Sequence, residues 1–216
     1  MDVSAPYQAV VPTLDGAVLT TLARLNGPVT GRQVHHLAGV GSEAGIRKVL
    51  NRLVVQGVVR ASQAGSAWLY EVNREHVAWP AVTALAGMRG EFLSRLRFRF
   101  GEWSIRARSA ALFGSAARED GGPDSDIDLL LIRQDRTDPD DPTWAEQIAQ
   151  LRADIAAWTG NHAQVYELDG DGLIRHIAAG QRIVDEWRRD AITLAGTDLH
   201  NLLRELGHRS TARSSR

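Results

Sequence analysis

The sequence predicts a mixed α/β (α+β) chain of two modest domains: three short helices with a β-hairpin, then a small mixed sheet with helices against it. Three observations lead there. The length, 216 residues, exceeds one typical small domain and falls short of two large ones. Apolar residues recur at helical spacing through the first third, whereas between 105 and 168 three short apolar runs alternate with turns and one long helical pattern. The hydrophobic share of 44% and charged share of 24% are those of an ordinary folded chain, which argues against the disordered and membrane-spanning classes.

No stretch approaches the run of about 18 apolar residues that spans a bilayer, and Met1-Asp2-Val3-Ser4 lacks the basic and apolar regions of a secretory signal, so a cytoplasmic location without membrane contact is expected. With no cysteine, any metal must be held by oxygen or imidazole, which makes carboxylate-bound Mg2+ the default. The net charge of -1 hides an uneven distribution: acids dominate from Glu119 to Asp141, after a basic stretch from Arg89 to Arg108.

Leu14, Val18, Leu22 and Leu25 share one helical face, which predicts a first helix over 14–25, ended by Gly27-Pro28. Thr30 is placed to cap a second helix with Val34, Leu37 and Ala38 pointing inward. Ser42 caps a third without a full capping box, because Gly45 stands three residues on; Ile46, Val49, Leu50 and Leu53 point inward. Val58–Ala61 and Trp68–Val72, joined by a turn from Ser62 to Ser66, read as a hairpin.

Three helices followed by a hairpin is the order of a winged helix-turn-helix. The stretch from Leu14 to Asn73 resembles the winged helix domains of bacterial transcription regulators, chiefly through TGRQVHHLAGVGSEAGIRKVLNRLVVQGVVR and its following wing. The resemblance implies a domain over 1–76 whose third helix presents Arg47, Lys48, Asn51 and Arg52 to DNA or RNA, arginine and asparagine reading bases and lysine neutralising phosphate. The competing reading is a solvated outer face, or a module for protein docking and homodimer formation.

Residues 77–104 predict a connecting basic helix, with Val82, Leu85, Met88, Phe92, Leu93, Leu96 and Phe100 near helical spacing. Its arginines read first as a solvated face, and alternatively as a basic wall that attracts triphosphate or nucleic acid. A strand over Ile105–Phe113 then enters the turn Gly114-Ser115-Ala116-Ala117-Arg118, and a second runs from Ser125 to Ile132. Residues two apart on a strand face one side, so Asp126 and Asp128 project together while Ile127 and Leu129 turn away. Two converging carboxylates repel unless a divalent cation lies between them, and hard oxygen ligands suit Mg2+ or Mn2+. The small residues Gly114 and Ser115 let backbone amides and a hydroxyl approach a phosphate.

The segment LFGSAAREDGGPDSDIDLLLI closely resembles the signature of the DNA polymerase beta-like nucleotidyltransferase superfamily, in particular its minimal bacterial members: a Gly-Ser turn, a short loop, then Asp-x-Asp on a strand. The resemblance covers about 105–170 and extends to Arg118 and Ser125. It implies transfer of a nucleoside monophosphate from a nucleoside triphosphate to an acceptor, with Asp126 and Asp128 as metal ligands and Gly114, Ser115, Arg118 and Ser125 on the nucleotide.

The family uses a third carboxylate on a later strand. Here that strand is Ala163–Leu168, where an alignment by apolar pattern puts Gln164 at the acid's place, while Glu167 is the only carboxylate inside it. The two have opposite parity and cannot both face the metals. Glu167 is the expected third ligand and catalytic residue; the alternative is a degraded or substrate-assisted site with Gln164 there. Leu173–Ala178 and Ile183–Leu206 read as helices completing a domain over 105–207, and 208–216 as a disordered tail. His35, His36, His162, His176 and His200 lack metal-ligand spacing and receive no role. The expected function is metal-dependent nucleotidyl transfer to an unidentified acceptor. Its rival is a DNA-binding regulator or antitoxin with a catalytically weak nucleotide-binding domain.

Overall fold

The computed structural model describes the backbone of residues 1–214 and the side chains of residues 1–207. It divides into two compact units, Ala5–Gly90 and Met1–Ser4 with Glu91–Arg216.

In the first unit α1 (Leu14–Ala23), α2 (Gly31–Ala38) and α3 (Glu43–Val55) precede a hairpin of β2 (Val59–Ala64) and β3 (Ala67–Val72). A two-residue strand, β1 (Val29–Thr30), adds to the outer side of β3, giving an antiparallel sheet ordered β1-β3-β2. Thr30 caps α2 through a full capping box, its Oγ1 accepting from the Gln33 amide while Gln33 Oε1 accepts from the Thr30 amide at 2.8 Å. Ser42 Oγ accepts from the Gly45 amide at 3.1 Å and caps α3. Ile46, Val49, Leu50 and Leu53 are buried as expected and pack with Val18, Leu22, Val34, Val59 and Tyr70. Leu37, expected inward, is 54% exposed. On this eight-residue helix Val34 and, four residues on, Ala38 face the core as expected, and Leu37 alone turns outward.

Helix α4 (Trp79–Gly101) crosses the division between the units. Arg89, expected on a solvated face, is only 9% exposed, whereas Arg95 pairs with Glu91 at 2.8 Å on the surface.

The second unit holds β4 (Ser109–Phe113), α5 (Gly114–Arg118), β5 (Ile127–Ile132), α6 (Pro142–Thr159), β6 (Ala163–Leu168), α7 (Gly170–Ala178), α8 (Arg182–Asp190), β7 (Ile192–Gly196) and α9 (Leu199–Ser214). The expected tail, 208–216, lies outside the described residues in its side chains, and altogether from 215. The sheet is ordered β6-β5-β4-β7, with β5 and β6 parallel and the other pairs antiparallel. A parallel pair needs a long crossover, which α6 supplies between β5 and β6. Asp141 starts α6 by accepting from the Thr143 and Trp144 amides at 2.8 and 3.2 Å, with Pro142 at the first helical position.

Two expectations change here. Residues 105–108 lie outside the strand, which begins at Ser109, and part of the helical stretch expected over 183–206 is the strand β7. β-Branched Ile192 and Thr193 pair with β4, and Gly196, at φ 75°, lies against the Arg108 carbonyl where a Cβ would come within 2.4 Å. The apolar spacing on either side bridged this short strand, so periodicity alone read it as helix.

Both faces of the sheet are covered. Ile127, Leu129 and Leu131 pack with Phe92, Leu96, Phe100, Trp103, Trp144, Leu151 and Ile155. Leu130 and Ile132 pack with Phe113, Leu173, Val184, Trp187 and residues of α9 on the other. A strand buried on both sides reads as a continuous apolar run, and along β5 Asp128 is the one interruption, half-buried among buried neighbours.

Candidate active site

The site forms where β4 ends and β5 begins. Phe113 pairs with Asp128 in the antiparallel register, so the chain leaving β4 turns directly beside that carboxylate. Gly114 makes the turn at φ 68°, in the left-handed region where glycine alone is unstrained, and a Cβ there would come within 2.2 Å of Asp128 Oδ2. The absent side chain is thus the space that the carboxylate occupies. Ser115 follows on the first turn of α5, and its hydroxyl, like that of Ser125, abuts Gly121: a Cβ on Gly121 would lie 3.2 Å from Ser115 Oγ and 3.4 Å from Ser125 Oγ.

The loop into Asp126 is held from several sides. Ser125 Oγ accepts from the Gly122 amide at 2.9 Å, and Ser4 Oγ accepts from the Gly121 amide at 3.2 Å. Buried Asn161 donates to the carbonyls of Pro123 and Ser125 at 2.9 and 2.8 Å, and its Oδ1 accepts from the Met1 ammonium at 2.7 Å. Nothing in the sequence singles out Asn161, because its partners are 36 and 38 residues away and leave no local signal.

Asp126 and Asp128 lie close enough that the charge of one acts on the other. Burial first, then the Asp126 charge, holds the Asp128 carboxyl above the ordinary carboxylate range; Arg118 pulls it down and Glu186 of α8 pushes it up. Arg118 is itself engaged, donating to Asp120 at 2.9 Å and lying 3.7 Å from Asp190. Glu186 is a further contributor that the sequence did not single out, because only the packing of α8 brings it into the field of Asp128.

The later strand separates Gln164 from Glu167. In the parallel register Gln164 stands opposite Asp128, and its Nε2 lies 3.3 Å from Asp126 Oδ2, to which it donates. Glu167 stands opposite Leu131, on the face carrying Ile127 and Leu129. There it accepts from Trp144 Nε1 at 2.9 Å and pairs with Arg133 at 2.8 Å. The expectation that Glu167 completes the acid set therefore gives way to Gln164, and odd spacing on a strand is the reason. Among the described residues no group of three or more His, Cys, Asp and Glu side chains is arranged to hold a metal ion. Two oxygen-bearing carboxylates on one face, one of them destabilised by the other's charge, nevertheless suit a single hard divalent cation.

In the first unit, the four residues expected at nucleic acid are all exposed on α3. Arg47 is paired with Glu43 at 3.1 Å and Arg52 with Asp15, leaving Lys48 and Asn51 as the more available pair. No helix among the described residues is long and apolar enough to cross a membrane.

Residues 90–177 match the family model of the nucleotidyltransferase domain, a span that contains Gly114, Ser115, Asp126, Asp128 and Gln164. That match supports a nucleotidyltransferase activity. No curated protein matches the chain significantly. Two solved structures are similar to part of it. One is a toxin-antitoxin with AMP-PNP, at 13% identity and a TM-score of 0.37, covering 57% of this chain and 86% of that one. The other is a mutant of the toxin-antitoxin MntA-HpeT, at 11% identity with a TM-score of 0.37 and the same coverage of 57% and 86%. At that degree of likeness neither neighbour bears on function, which is read from the family match and the site's own residues.

Proposed function

We propose that the chain transfers a nucleoside monophosphate from a nucleoside triphosphate to an acceptor nucleophile, releasing pyrophosphate, with Mg2+ or Mn2+ held by Asp126 and Asp128. The observation that carries this reading is the fit between Gly114 and Asp128: the turn is built so that a carboxylate fills the space of a side chain beside a Gly-Ser backbone. A divalent cation bound there would offset triphosphate charge during in-line displacement. The chain's own part is positioning. Asp126 and Asp128 hold the cation, the Gly114 and Ser115 amides and the Ser115 hydroxyl receive phosphate oxygens, and Asn161 and Ser125 hold the loop that presents Asp126. Arg118 steadies the same loop through Asp120.

The test is incubation with each labelled nucleoside triphosphate, MgCl2 and cell lysate, comparing the wild type with Asp126→Ala/Asp128→Ala. Label transfer or pyrophosphate release by the wild type alone supports the reading; metal-dependent nucleotide binding without turnover overturns it in favour of a regulator with a weak transferase domain. One observation favours that second reading, the amide of Gln164 where a carboxylate was expected.

The first unit is read as a winged helix that brings the transferase to DNA, RNA or a protein partner. Replacing exposed Lys48 and Asn51 by alanine is expected to weaken nucleic-acid binding by about 1–3 kcal/mol in a gel-shift assay. Unchanged binding removes α3 as the reading helix.

A further inference from the structure

On the face of the sheet that bears Asp128 lies a second group of polar side chains. Tyr166 Oη is 2.7 Å from His176 Nε2, and His176 Nδ1 is 2.9 Å from the Gly172 carbonyl. A carbonyl only accepts, so Nδ1 carries the proton and donates it. In the neutral ring Nε2 then offers a lone pair, and the Tyr166 hydroxyl donates to it. Carbonyl, imidazole, hydroxyl is the order of orienting group, base and nucleophile that activates a hydroxyl.

The position of this dyad connects it to the transfer site. Tyr166 stands opposite Leu130 as Gln164 stands opposite Asp128, so both face the same side. One strand repeat, about 6.6 Å, separates the Tyr166 backbone from that of Gln164, whose amide reaches Asp126 at 3.3 Å. β6 is an edge strand and Tyr166 is 37% exposed. Buried Trp187 holds the group in place: its ring lies 6.1 Å from His176, 5.7 Å from Tyr166 and 6.1 Å from Phe113, the residue before Gly114. The strand offers no other proton acceptor on that face, since Gln164 is an amide and Glu167 is paired with Arg133 on the opposite one.

We infer that Tyr166 is itself an acceptor of the transferred group, with His176 as its base, so that the chain nucleotidylates its own β6. The inference rests on the transfer reading above. The Tyr166 oxygen bonds to the α-phosphorus, the bridging bond between the α-phosphorus and the leaving oxygen breaks, pyrophosphate departs with that electron pair, and the phenol proton passes to His176 Nε2. The product is a tyrosyl phosphodiester, and no co-reactant beyond the nucleoside triphosphate and its cation is needed.

The purified full chain is incubated with MgCl2 and each of the four nucleoside triphosphates, without added acceptor, and its peptides are mapped by mass spectrometry. One nucleoside monophosphate on Tyr166 is expected, with none on Tyr166→Phe, which keeps the ring against Trp187, and labelling at least about 100-fold slower in His176→Gln. An unlabelled wild type, or equal labelling of Tyr166→Phe, overturns the inference. A wild type that labels a lysate acceptor and never itself defeats the Tyr166 assignment while the transfer reading stands; no turnover of any kind defeats both.

Discussion

Alternate residues of β5 and β6 divide between two faces of one sheet, and each face bears a carboxylate with a different fate. On the first, Glu167 lies among Val165, Leu129 and Leu131 and is satisfied by Arg133 and the Trp144 indole. On the second, Asp128 lies beside Asp126 and Gln164, and the guanidinium whose charge acts on it, Arg118, is engaged by Asp120. The first carboxylate has its counter-charge inside the fold. The second is left wanting one, since burial and a like charge both disfavour its ionised form. Residue type says little about role here; the face, and what already neutralises the charge, says more.

The comparison breaks most readily at the aspartates. Asp128→Ala is expected to lower nucleotide-dependent pyrophosphate release by about 10²–10³-fold or more, with an unchanged circular dichroism spectrum; wild-type turnover would leave the second face without a function. Gly114→Ala comes next, because it combines a strained φ of 68° with a Cβ 2.2 Å from Asp128 Oδ2. A loss of about 1–3 kcal/mol in denaturant titration, together with most of the activity, is expected.

Glu167→Gln sharpens the contrast from the other side. Arg133, 12% exposed in its side chain, would lose its ionic partner, so stability should fall by about 1–3 kcal/mol while turnover stays near wild type. Turnover collapsing without a loss of stability would return Glu167 to the catalytic set.

The smallest effect concerns pH. Because the Asp128 carboxyl is raised in the fold, protonation favours folding there. In EDTA, stability from this group should be fully present below the unfolded carboxyl pKa, about 3.9, and lost as pH rises through the higher folded value. Asp128→Asn should remove that part of the pH dependence and raise stability at neutral pH; denaturation midpoints across the acid range, superimposable for the two proteins, would show the carboxyl carries no such penalty.

Much of this was legible locally. Leu14, Val18 and Leu22 marked α1, Thr30 and Ser42 marked the starts of α2 and α3, and the Gly114-Ser115 turn with Asp126 and Asp128 marked the site. Leu37 and β7 were misread because short segments hold too few turns for periodicity to separate a buried face from an exposed one, or strand from helix.

The sequence by itself determined the helices α1 to α3, the tight glycine turn and the pairing of two carboxylates on one side of a strand, since each follows from backbone geometry within a few residues. Only the tertiary structure decided which side chain of β6 meets that pair. The register of β5 against β6 is set by the α6 crossover and by apolar burial on both faces, and it places Gln164 with Asp128 and turns Glu167 to Arg133. The same long-range packing brings Asn161 and Glu186 to that end of the unit and Tyr166 to His176, through contacts that no local pattern encodes.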